Sequence, residues 1–154
     1  MRARLVRLAL VSAIGLASGA VPQAQSPGIQ DAWYADSYVL KDGEEHHVEG
    51  LMLFSEHDWA VVYFVDDERG TPQRAAGEGG TYTLDGNRLV LTRLYLTISS
   101  NPLKSLPAIP LRFDVPANKD PVIERCTIAL DAERLEITFP SGNRMGFRRS
   151  RRAP

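Results

Sequence analysis

The side chains best equipped for chemistry fall in one short stretch. Glu44-Glu45-His46-His47, Glu49 and then His57-Asp58 bring all three histidines of the chain close to carboxylates, the donor types that bind divalent metals. Adjacent residues of a strand point to opposite faces, so His46 and His47 cannot both reach one ion without distortion. The stretch also follows the turn-forming pair Asp42-Gly43, where a solvated run of charge is the ordinary outcome. No metal site is assigned to it. Asp66, Asp67 and Glu68 likewise read as a solvated turn. Gly77-Glu78-Gly79-Gly80 precedes a strand rather than a helix, so it lacks the helix N-terminus that would help bind a phosphate. The chain contains no Gly-x-Ser-x-Gly elbow and no His-Glu-x-x-His pair. The motifs therefore support no catalytic residue and no cofactor, and an enzymatic reading has no positioned acid, base or nucleophile behind it.

The aromatic residues carry a different possibility. Trp33, Phe54, Trp59, Tyr63, Tyr82, Tyr95 and Phe147 fall in strand-like segments, where they can line an apolar cup with a few hydroxyls at its rim. The competing expectation is packed core, because the interior of a small barrel is readily filled by side chains. Asn101 to Pro110 is proline-rich and suits either a lid over such a cup or a stiff surface loop. Cys126 is the only cysteine, which excludes an internal disulfide. It alternates in phase with Ile128 and Leu130, so a buried, unreactive thiol is expected.

Those residues need a framework, and its location follows from the first segment. Arg2, Arg4 and Arg7, an apolar run from Leu8 to Ala17, and the small residues Ser18, Gly19 and Ala20 have the layout of a secretory signal peptide. The run is too short to span a bilayer. Residues 1–24 are therefore expected to be removed, after Ala20 or Ala24, leaving no integral membrane segment and a periplasmic or secreted protein. The chain has 18 basic and 19 acidic residues, and losing the leader's arginines makes the remainder more acidic. Nucleic acid is thereby set aside as a partner, since neutralising phosphate charge supplies much of that affinity. Residues 25–30 read as a short mature leader, residues 31–149 as a single domain, and residues 150–154 as a basic tail.

Within the domain, segments rich in β-branched and aromatic residues alternate with Gly, Asn, Asp and Pro, and no stretch keeps a helical period. Strands are expected at 33–41, 46–55, 59–66, 80–84, 88–99, 111–115, 122–130, 135–139 and 144–149. Asp42-Gly43, Asp85-Gly86-Asn87 and Ser141-Gly142-Asn143 mark tight hairpins. Residues 67–79 are expected to hold one helical turn starting at Pro72 and capped by Thr71. In the last hairpin Leu135, Ile137 and Phe139 alternate with polar residues, while Met145, Phe147 and Arg149 share one phase, which puts an arginine on the core side. Many short strands joined by tight turns predict an all-β, up-and-down antiparallel barrel of about eight or nine strands, because closure removes exposed edges.

Asp31-Ala32-Trp33, Gly50 to Ser55, Gly79 to Asn87 and Asp131 to Arg149 together resemble the bacterial lipocalin-like (calycin-type) barrels of largely unknown function. The resemblance implies that Trp33 packs against Arg149 to close the barrel floor. It also implies a small hydrophobic ligand in the interior, held by the aromatic set named above. One departure is Asp31, where the broader lipocalin signature has glycine. The alternative expectation is a periplasmic interaction module or inhibitor with a filled core, no small ligand and a protein partner that the sequence does not name.

Overall fold

The computed structural model describes residues 28–117 and 119–150. The expected signal peptide and the end of the basic tail lie outside these residues. Ten strands follow one another: β1 (Ala32–Val39), β2 (Glu45–His46), β3 (Val48–Phe54), β4 (Asp58–Asp66), β5 (Pro72–Asp85), β6 (Arg88–Ser100), β7 (Ile109–Asp114), β8 (Val122–Leu130), β9 (Arg134–Thr138) and β10 (Arg144–Arg149). Eight of them form a closed antiparallel barrel in the order β1-β3-β4-β5-β6-β8-β9-β10, with β10 returning to β1. The expected all-β barrel is therefore the architecture of this chain. The short β2 extends the β1 pairing, and β7 pairs only with β6. Among the described residues no helix is long and apolar enough to cross a membrane.

Several boundaries differ from expectation for identifiable reasons. The helical turn at Pro72 is absent, because β5 begins at Pro72 and pairs along its length with β4 and β6. Proline is tolerated at the first position of a strand, where its missing N–H costs least. Asp67 organises the preceding turn instead. Its Oδ1 accepts hydrogen bonds from the backbone N–H groups of Arg69 and Thr71, both at 2.9 Å. The first half of β6 pairs with β8 and its second half with β7. Pro110, Pro116 and Pro121 lie in β7 or between β7 and β8, and proline interrupts continuous pairing, which helps confine β7 to an edge.

The floor lies where β1 begins and β10 ends. Trp33 is fully buried, and its indole N–H donates to the Ile29 carbonyl at 2.8 Å. Ile29, in the expected leader, is itself part of the core. Trp33 pairs with Arg149 across the closing seam, and the guanidinium carbon stands 4.2 Å from the ring centroid. Arg149 also donates to Asp31 Oδ2 at 2.7 Å, the Ala132 carbonyl at 2.6 Å and the Gly28 carbonyl at 3.1 Å. Asp31 thus neutralises the arginine that an inward-facing phase leaves under the barrel. Leu89, Leu135, Ile137 and Phe147 complete the most deeply buried layer.

Two bulges reverse the side-chain phase within a strand. In β1, Ala35 pairs with Phe147 and Ser37 with Gly146, leaving Asp36 as the extra residue. Trp33 and Ala35 are buried before it and Leu40 after it. In β6, Gly79 pairs with Tyr95 but Gly80 pairs with Arg93, so Leu94 is extra. Leu89 and Leu91 are inward before this bulge, and Leu96 and Ile98 after it. Each bulge has a glycine opposite. A Cβ on Gly80 would overlap the Thr92 carbonyl oxygen, and one on Gly146 would overlap Ser37 Oγ. Gly77, in the same strand as Gly80, would have nothing within 4 Å of an added Cβ. Gly80→Ala is therefore expected to cost about 1–3 kcal/mol, the range for forcing atoms into a packed site, while Gly77→Ala stays within about 0.5 kcal/mol. Urea denaturation of the two variants checks the contrast.

Candidate functional site

Inside the barrel lies a cavity of about 510 Å³. Met52, Trp59, Leu91, Met145 and Phe147 give it apolar walls, and Glu78, Arg93, Glu124, Arg74 and Tyr63 give it charge and hydrogen-bonding capacity. β4 supplies Trp59, Val61 and Tyr63 from alternate positions, as a strand with one inward face must. Asn143, in the β9–β10 turn, also lines the cavity. Its amide donates to the Tyr38 hydroxyl at 3.0 Å and its Oδ1 accepts from the Lys41 backbone N–H at 3.0 Å, which fastens that turn to the end of β1.

The charged members are arranged unevenly. Arg93 and Glu78 form an ion pair at 2.9 Å with side chains only 17% and 14% exposed. Among the described residues Glu124 has no such direct partner of its own. Burial, and then the negative charge of Glu78, raise its pKa above the ordinary carboxylate value against a smaller opposing effect of Arg93. Burial likewise raises the Tyr63 phenol above its ordinary value, with the negative charge of Glu78 adding to the effect. Among the described residues Trp59 Nε1 and Arg74 Nε are buried without a hydrogen-bond partner. Such donors are costly to leave unpaired, and both belong to side chains that line this one cavity.

The aromatic residues singled out in the sequence divide three ways. Trp59, Tyr63 and Phe147 line the cavity. Trp33, Phe54 and Tyr82 do not line it, and sit in or against the main core cluster to which Trp59 and Phe147 also belong. Phe54 and Tyr82 meet edge to face at 5.0 Å, and the Tyr82 hydroxyl donates to the Ser55 carbonyl at 2.7 Å. Tyr95 is not a wall residue: the β6 bulge turns it outward, and it is 53% exposed. Strict alternation from Leu89 and Leu91 would have brought it inside. The charged wall was missed for a related reason. Arg93 and Glu124 share the inward phase of Leu91 and Cys126, a visible signal, whereas Glu78 sits in a segment expected to be a loop.

The proline-rich segment after β6 sits against the barrel. Leu106 is buried in the core cluster, Ser105 Oγ donates to Glu44 at 2.5 Å, and Lys104 pairs with Glu44 at 3.3 Å. The Ser105 hydrogen bond, chiefly, holds the Glu44 carboxyl below its ordinary pKa. The three histidines do not gather. His46 is buried beside Tyr38, while His57, in the β3–β4 turn, is exposed and pairs with Glu56 at 3.7 Å. Asp66, expected in a solvated turn, is buried. No family model matches the chain, and no curated protein matches its sequence.

A carboxyl whose pKa is raised by the fold is held less well when ionised, so Glu124 lowers stability as pH rises through its folded value. Glu124→Gln is expected to be more stable than the parent at neutral pH, with the two converging below about pH 4, where both states of the parent carry a protonated group. Denaturant midpoints measured across that pH range check it. Cys126 is buried, and desolvation pushes its thiol up to about 12. An aromatic disulfide reagent should therefore label it only after unfolding, as read by thiol release with and without denaturant.

Proposed function

We propose that this protein is an exported, lipocalin-like binding protein whose barrel holds a small amphipathic molecule. The observation that carries the proposal is the cavity of about 510 Å³ with apolar walls and the unpaired buried donors Trp59 Nε1 and Arg74 Nε. Ligand pockets of this kind bury an apolar body and use a few polar groups to orient it. An acceptor oxygen on the ligand would satisfy donors that the described residues leave without partners. The Glu78–Arg93 pair and Glu124 add charge to the wall, so a purely hydrocarbon ligand would strand polar groups. This refines the hydrophobic ligand expected from the sequence to one with a polar end. The Trp33–Arg149 stack under an eight-stranded barrel supports the lipocalin-like reading, and the leader sequence supports export.

The alternative, an interaction module, draws on a different feature. Tyr95, Leu111, Phe113 and Ile123 are each more than half exposed, around the edge strand β7, and exposed apolar patches of this sort favour contact with another surface.

Titration with medium-chain fatty acids and their methyl esters, followed by tryptophan emission, tests the ligand proposal. Saturable quenching is expected, and Val61→Trp, which adds bulk to a half-buried wall position, should weaken it by at least about tenfold, the equivalent of roughly 1.4 kcal/mol. No saturable change across the panel, or equal affinity in Val61→Trp, would remove the cavity as the binding site.

A further inference from the structure

On the outer face of the barrel, where β3 begins and β4 ends, three metal-ligating side chains meet. His47 immediately precedes β3, and Glu49 lies two residues further on, so both are on the same outward phase. Asp66 is the last residue of β4, and its backbone N–H donates to the His47 carbonyl at 3.1 Å, which sets it directly across from His47. A shift in register between Val65 and Asp66 accompanies this placement, and bulges commonly re-aim a side chain. One donor atom from each of His47, Glu49 and Asp66 lies within 4.8 Å of the others. His47 Nδ1 and Asp66 Oδ2 are already 2.9 Å apart, close to the roughly 3.3 Å that separates two ligands about 2.0 Å from a tetrahedral zinc ion.

Asp66 supplies an independent observation. Its side chain is only 6% exposed, and among the described residues its Oδ1 has no hydrogen-bond partner. A buried carboxylate oxygen without a donor is an expensive arrangement. His47, 59% exposed, is a partner for the other oxygen only. The adjoining cleft, of about 790 Å³, adds Asp42, Glu45, Asp67 and Glu68 against Arg69 and Lys104, so the local balance of charge favours a cation.

We propose that His47, Glu49 and Asp66 form a binding site for a divalent transition-metal cation, with zinc the best fit to one imidazole and two carboxylates. This donor set is harder than the thiolate sites of structural zinc and leaves at least one coordination position open. The ion would tie β3 to β4 and neutralise the buried Asp66 carboxylate. The site is separate from the interior cavity and does not depend on what the cavity holds.

The test is a zinc titration of chelator-treated, purified protein against a chromogenic competitor, with His47→Ala, Asp66→Asn and His57→Ala in parallel and circular dichroism to verify folding. One equivalent per chain is expected, with affinity reduced at least about tenfold in His47→Ala and Asp66→Asn and unchanged in His57→Ala. Zinc should also raise the melting temperature of the parent but not that of Glu49→Gln, a surface change that spares the core. Absence of saturable binding to the parent overturns the site, as does binding that survives both His47→Ala and Asp66→Asn undiminished.

Discussion

Closure of the sheet by its own first and last strands is the constraint on which everything else rests. The pairing of β1 with β10 joins chain segments more than a hundred residues apart, such as Trp33 with Arg149, and it covers the two edges, on β1 and β10, that an open sheet would otherwise expose. At the seam's end the Arg149 guanidinium lies over the Trp33 ring and donates to Asp31, Ala132 and Gly28. The ring contact contributes roughly 0.5–2 kcal/mol. The greater effect is geometric: one cation gathers the N-terminal segment, the β8–β9 turn and the last strand at a single point. An inward arginine is thereby satisfied without carrying an unpaired charge into the core.

Closure alone would give a cylinder with uniform alternation, and the two bulges make it a container with a particular lining. The β6 bulge takes Tyr95 out and brings Leu96 and Ile98 in. The β1 bulge sets Asp36 where Arg134 and Arg148 reach its carboxylate at 3.6 and 3.1 Å, linking the seam on the outside as Arg149 does from below. Beside the β6 bulge Gly80 lies where an added Cβ would overlap backbone, and beside the β1 bulge Gly146 leaves room for the side chains of Asp36 and Ser37. A local excess of one residue therefore decides which chemistry faces inward.

The interior combines open space with charged side chains. Glu78 and Arg93 neutralise each other, but Glu124 and the Arg74 Nε remain beside them. Packing apolar side chains over these groups would strand them in a medium of low polarity, at a cost of kilocalories per group. A cavity that admits water or the polar end of a ligand avoids that cost. The apolar layer around Trp33, Leu135, Ile137 and Phe147 carries the stability that such a cavity does not.

By itself the sequence determined the all-β class, the tight hairpins, the buried position of Cys126 and the inward phase of Arg149, because each depends on short-range alternation and on turn residues with narrow conformational demands. The resemblance to lipocalin-like barrels added Trp33 as the natural partner for that arginine. Tertiary structure decided what alternation cannot express. The length of β5 through Pro72, the outward turn of Tyr95 and the burial of Asp66 depend on register with neighbouring strands, and register shifts at bulges are invisible to a period of two. The meeting of Glu78, Arg93 and Glu124 in one cavity, and of His47, Glu49 and Asp66 on one face, depends on the register in which neighbouring strands pair.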